Sequence, residues 1–206
     1  DSTDSHTYEW QFENTTWTDS VAGIPFFDDF EDTSLVPGYS GNAAQLGSNS
    51  SALRTAEGAV EFDPSENFTI SMRFKFTDQL PGSIYLLRSE GWDSVAEFRK
   101  RNWYLTATST SLMFTFLNSG GGSVFARVFL DEPWQIDTWY QVEFSYQTGL
   151  SGDYPTAASI QFGELAATAF GVYVPYWYPL QDLAIGTNPT RAGLTVDDLQ
   201  IDKDSP

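Results

Sequence analysis

The stretch VEFDPSENFTISMRFKF, residues 60–76, decides the fold class. Its second half alternates without interruption: Phe68, Ile70, Met72, Phe74 and Phe76 share one parity, and Thr69, Ser71, Arg73 and Lys75 take the other. A β-strand sends successive side chains to opposite faces, so this run is a strand with one face in a core and one in water. The first half differs. Glu61, Asp63 and Glu66 form an E-x-D-x-x-E string, the kind of carboxylate cluster a glycoside hydrolase uses as nucleophile and acid/base. Pro64 has no N–H to give a sheet ladder, and Glu66 has the opposite parity to Glu61 and Asp63. The string is therefore read as a loop entering the strand, its carboxylates solvated or facing calcium, with catalysis as the lesser alternative.

Working outward, Tyr8, Trp10 and Phe12 alternate with Glu9, Gln11 and Glu13, which predicts a first strand. Downstream, alternating runs at residues 83–88, 103–107, 112–117, 124–130, 139–146, 158–162, 169–174, 183–186 and 195–201 are separated by Gly- and Pro-containing turns. Roughly eleven strands without a long helical run predict an all-β chain, a two-sheet sandwich or a barrel. Residues 93–102 have room for one helical turn. Residues 14–51 read as a long, irregular acidic loop, in which Asp19, Asp28, Asp29, Glu31 and Asp32 interleave with Phe26, Phe27 and Phe30. A loop of that length is usually functional or ordered by something. The expected organisation is a polar leader at 1–7, one domain at 8–203 and a linker stub at 204–206, as in a module of a longer protein.

Composition limits the function. The 206 residues suit a single domain, and 16 Phe, 10 Tyr and 7 Trp favour strands and leave rings over for a binding surface. With 28 acidic against 10 basic residues the formal charge is −18, which repels nucleic acid and anionic membrane. Acidic loops can instead recruit calcium, whose preferred ligands are carboxylate oxygens. There is no Cys, and the one His, His6, lies in the leader, so thiol catalysis, Ser-His-Asp catalysis and multi-His metal sites are not expected. No apolar run approaches the ~20 residues of a membrane span, so no membrane insertion is expected.

Several segments together resemble laminin-G-like, concanavalin A-like jelly-roll domains. They are YEWQFENTTWTDSVAG at 8–23, GYSGNAAQLGSNSSAL at 38–53, FTISMRFKF at 68–76, Asp137-Thr138-Trp139-Tyr140-Gln141-Val142, and Ile185-Gly186 followed by LTVDDLQI at 194–201. The resemblance implies a jelly-roll β-sandwich of two curved antiparallel sheets, one of them concave. It places the E-x-D-x-x-E string where the family has a loop. Members include sugar-binding modules, adhesion domains, glucanases and lyases, and many carry a structural calcium near the junction of the first and last strands. In this chain that implies Asp197 as the leading ligand, with Asp19 and Glu13 as partners. The core parity set by Leu199 and Ile201 puts Asp197 on the inward side and Asp198 outward.

Sugar-binding modules stack aromatic rings on pyranose faces. The segment YVPYWYP at 173–179 packs four rings and two prolines into seven residues, which makes a rigid loop, and its Tyr173, Tyr176, Trp177 and Tyr178 are the leading candidates. Trp92 and Trp103 flank the basic cluster Arg99-Lys100-Arg101 and form a second group with Arg99. Asn14, Asn49 and Asn67 head N-glycosylation sequons. The expected function is a non-catalytic carbohydrate-binding or adhesion module of a larger secreted or cell-surface protein, with calcium as a structural ion and a carbohydrate or glycosylated surface as partner. The alternatives are a glycoside hydrolase or polysaccharide lyase on the same fold, or a spacer domain of an adhesin.

Overall fold

The computed structural model describes residues 6–28, 31–47, 52–80, 82–117, 122–186 and 193–204. Among these there is no helix, and the strands form two sheets. In chain order they are β1 His6–Trp10, β2 Phe26–Asp28, β3 Ser34–Pro37, β4 Asn42–Gln45, β5 Leu53–Thr55, β6 Asn67–Phe76, β7 Ile84–Asp93, β8 Phe98–Thr108, β9 Ser111–Leu117, β10 Ser123–Phe129, β11 Tyr140–Gln147, β12 Thr156–Phe162, β13 Leu165–Gly171, β14 Asp182–Ile185 and β15 Leu194–Asp204. The first sheet runs β13-β12-β11-β6-β15-β4-β3 with β1 also paired to β15, and the second runs β10-β9-β8-β7-β14-β5-β2. Neighbours far apart in sequence, such as β6 beside β15, give an antiparallel two-sheet sandwich, one of the two architectures the alternating runs predict and the jelly roll that the resemblance implies.

β6 lies between β11 and β15, and its pattern is the one its sequence dictates. Phe68, Ile70, Met72, Phe74 and Phe76 are all buried. From the second sheet Trp103 and Phe114 meet them, with Phe68 at 5.4 and 6.2 Å from the two rings. Each such side chain contributes about 1.5–3 kcal/mol through burial. Rings from both sheets interlock with aliphatic side chains between them, so part of the aromatic surplus goes into the core.

The structure departs from the sequence reading in four places. β1 begins at His6 and pairs with β15 through His6↔Lys203, inside the stretch read as a leader. The supposed irregular loop at 14–51 carries β2, β3 and β4, strands of three or four residues that are too short to show a period. Residues 93–102, read as having room for one helical turn, are largely strand: β7 and β8 extend through them as a hairpin whose loop is a single i→i+4 turn, the Glu97 amide donating to the Asp93 carbonyl at 2.8 Å and the Asp93 carboxylate accepting the amides of Val95 and Ala96 at 2.9 and 3.1 Å.

The fourth departure concerns Asp197. β15 pairs regularly with β6 up to Asp197↔Arg73, then shifts register before Gln200↔Ser71. Upstream of this bulge Leu194 and Val196 face the core; downstream Leu199 and Ile201 do. Counting back from Leu199 therefore assigns Asp197 the wrong side. It stands opposite the outward-facing Arg73 and is buried on the outer face, beneath a turn.

Candidate ligand-binding site

That turn is residues 38–41, and its construction explains the acidic residues around it. Asp197 Oδ2 accepts the amides of Tyr39 at 2.8 Å and Ser40 at 3.4 Å, and Oδ1 accepts the amide of Asp198 at 2.9 Å. Burial, then the neighbouring Asp198, pushes its carboxyl above the ordinary carboxylate value, while the amides pull the other way. Gly38 is required: a Cβ there would lie 2.7 Å from Asp197 Oδ2. Gly41 has φ +75°, and its Cβ would meet Glu13 Oε1 at 2.1 Å. Glu13 accepts the Asn42 amide at 3.1 Å through its carboxylate and the Asn42 side chain at 3.2 Å through its backbone carbonyl. Asp19 is buried and accepts the amides of Glu9 and Ala22.

The three residues expected to hold calcium thus anchor backbone. Asp197 and Glu13 fix one turn, and Asp19 fixes the loop that leaves β1. Among the described residues no three His, Cys, Asp or Glu side chains converge on one point.

The anchored turn carries Tyr39 onto the outer face of the first sheet. The Arg73 guanidinium lies 4.2 Å from the Tyr39 ring centroid and pairs with Asp198, which the bulge turns outward with a φ of 47°. Tyr39 meets Trp139 edge-on at 6.5 Å, and Lys75 sits 5.2 Å above Trp139 while reaching Asp137 at 3.8 Å. Beside this ladder is a cleft of about 260 Å³ lined by Glu9, Ser71, Arg73, Gln141, Asp198 and Gln200. A second depression, containing Trp139, Gln141, Glu143, Gln161 and Phe162, shares Gln141 with it. Register continues the surface: Glu9↔Gln200, Gln200↔Ser71, Ser71↔Glu143 and Glu143↔Gln161 set one row of polar groups across β1, β15, β6, β11 and β12.

The aromatic residues singled out in the sequence divide. Trp177 is only 5% exposed and packs 4.8 Å from Tyr146 and 6.0 Å from Phe68, while Trp103 is wholly buried among Phe62, Phe114 and Phe144. Neither offers a ring face to a ligand, because the space between the sheets at this end needs their volume. Tyr173 and Tyr176 are exposed, and Tyr178 stands 5.8 Å from Tyr176. Their loop is held down by Asn102, which accepts the Tyr178 amide at 2.8 Å, and by Trp92, whose amide reaches Pro179 at 2.7 Å. Trp92 is partly exposed beside it. Arg99 is committed to Glu57 and Asp182 and to the carbonyls of Glu90 and Leu180.

The carboxylate string is a loop. Glu61 accepts the Gln181 amide at 3.1 Å, Asp63 accepts the Ser65 amide and hydroxyl, and Glu66 pairs with Lys203 at 3.3 Å. Ser65 holds the Asp63 carboxyl below its ordinary value. The Asn49 sequon lies outside the described residues; Asn14 is exposed, and Asn67 accepts the Thr148 amide at 2.8 Å.

No protein-family model matches the sequence, and no curated protein matches it significantly. Solved structures do. The binding domain of Paraclostridial Mosquitocidal Protein 1 superposes with a TM-score of 0.69 at 10% identity, over 94% of this chain and 48% of that one. The receptor binding domain of botulinum neurotoxin D gives 0.69 at 12%, over 94% and 48%. The botulinum neurotoxin serotype G binding domain gives 0.67 at 11%, over 94% and 46%. The chain spans about half the length of these structures. At such identities the likeness establishes one thing: the chain has the β-sandwich architecture found in toxin binding domains.

Proposed function

We propose that this is a non-catalytic carbohydrate-binding module and that it holds its ligand on the outer face of the first sheet. The observation that carries the reading is the cleft of Glu9, Ser71, Arg73, Gln141, Asp198 and Gln200 beside Tyr39. A sugar presents hydroxyls that both donate and accept, and carboxylate, amide and guanidinium groups together meet both needs. Its C–H face suits an aromatic ring, and Tyr39 is mostly exposed. The polar groups stand on paired strands, and Tyr39 on an anchored turn, so little freedom is lost on binding. The engaged carboxylates of residues 61–66 favour binding over hydrolysis. The binding roles named for the toxin domains support a recognition module carried by a larger secreted or cell-surface protein.

Glycan-array screening followed by calorimetry tests this. Gln141→Ala with Gln200→Ala removes two exposed amides at small structural cost and is expected to abolish binding, whereas Tyr176→Ala leaves it intact. Reducing-end release from a polysaccharide panel is expected to be nil. Undiminished binding by the folded double variant would remove the assignment.

A further inference from the structure

The outer face of the second sheet has a different chemistry. Register sets one row across all seven strands: Phe27, Arg54, Ala184, Arg88, Tyr104, Thr115 and Phe125. Met113 faces Arg127 in the next row, and Arg101 faces Glu90 on the other side. Guanidinium groups lie over rings throughout. Arg88 and Arg101 are 5.6 and 4.9 Å from Tyr85, Arg101 is 5.8 Å from Tyr104, and Arg127 is 5.9 and 5.7 Å from Phe125 and Phe129. Phe27, Phe125 and Phe129 are 52%, 50% and 66% exposed.

We propose that the β8–β10 end of this face docks a protein partner whose surface mixes large apolar side chains with carboxylates. Aromatic residues, Met and Arg are the residues enriched at protein interfaces, and Tyr and Arg dominate their energetics. The accessible part of the row is its β8–β10 end, where Arg101, Phe125, Arg127 and Phe129 are exposed, because Ala184, Arg88 and Thr115 are buried. Charge complementarity selects the partner. In a chain of charge −18, this sheet gathers Arg54, Arg88, Arg99, Arg101 and Arg127. Glu90, Asp182 and Glu57 pair with the first three, and among the described residues Arg101 and Arg127 have no carboxylate partner. Two such cations are too few to hold a polyanion, but they suit a few carboxylates around an apolar contact, and the exposed phenylalanines require apolar burial.

The test pans a displayed peptide library against the immobilised protein and measures the best synthetic peptide by fluorescence anisotropy. Selected sequences are expected to pair Asp or Glu with large apolar residues. Their affinity should fall at least tenfold in the Arg101→Glu, Arg127→Glu double variant and should fall with added salt, while glycan binding and melting temperature are unchanged. Basic or uncharged winners, or indifference to the substitutions in the folded variant, would overturn the proposal. So would salt-sensitive binding of heparin through these arginines, or sedimentation showing a self-associated wild type that the substitutions dissociate, since the occupant would then be a polyanion or a second copy.

Discussion

Replacing Trp177 separates the two roles its segment allows. As a surface ring, Trp177→Ala would abolish ligand binding and leave stability almost unchanged, within about 0.5 kcal/mol. The structure predicts the opposite. The indole is 95% buried against Tyr146 and Phe68, and truncating a buried Trp costs about 3–5 kcal/mol in lost transfer energy and cavity. For a domain of this size each kcal/mol lowers the melting temperature by about 2–4 °C, so the expected fall is about 6–20 °C. A second substitution sharpens the test. Among the described residues the Trp177 indole N–H has no hydrogen-bond partner, and an unmet buried donor costs about 1–3 kcal/mol. Trp177→Phe gives up part of the ring but also that donor, so its cost should be well under half that of Trp177→Ala. Thermal and urea unfolding followed by circular dichroism measure both. A Trp177→Ala protein that melts like wild type would refute the burial argument.

The turn at 38–41 should depend on its anchor: Asp197→Ala leaves the Tyr39 and Ser40 amides without their acceptor, and at about 1.5–3 kcal/mol per charged hydrogen bond it should lower the melting temperature and weaken glycan binding together. Calcium held by Asp197, Asp19 or Glu13 would raise stability, since a ligand bound only to the folded state must stabilise it: a clearly higher melting temperature in millimolar calcium than in EDTA supports a structural ion there, and agreement within about 1 °C counts against one. Burial pushes the Tyr146 phenol from 10.0 up to about 12. The unfolded chain releases that proton first, so stability present below pH ~10 should be lost as pH rises to ~12, by about 3 kcal/mol in all, as measured by urea midpoints across that range with Tyr146→Phe as the control.

Much of the fold was legible because burial on one side of a sheet imposes a period of two. β6, β9 and β11 could be read almost to the residue, since each keeps one apolar face throughout its length. β2, β3 and β4 could not, since three or four residues give no period, and pairing with distant strands determines them. The aromatic loop was legible as rigid but not in its orientation: YVPYWYP contains four rings of similar character, and only the gap beside Tyr146 and Phe68 decides that Trp177 turns inward. Tyr39 lies in the stretch whose sequence reads as an irregular loop, between two glycines. Gly38 and Gly41 mark a backbone pressed against Asp197 and Glu13, which is a sequence-visible sign of a tightly held turn.

The bulge between Asp197 and Gln200 shows why the site itself resisted the alternation rule. A regular β15 would keep one parity from Leu194 to Ile201; the observed strand changes parity and keeps both ends in the core. Local irregularity of this kind costs ladder hydrogen bonds and, at Asp198, a left-handed backbone that a non-glycine residue adopts unwillingly. In return two adjacent acids face outward, one fastening the turn that holds Tyr39 and the other fastening Arg73 beneath that ring. The parity break and the candidate site are therefore one feature. Deleting Asp198 would restore regular pairing with Val196, Leu199 and Ile201 still in the core and Asp197 still outward beneath the turn, so the fold should survive while Arg73 loses the carboxylate that fastens it beneath Tyr39.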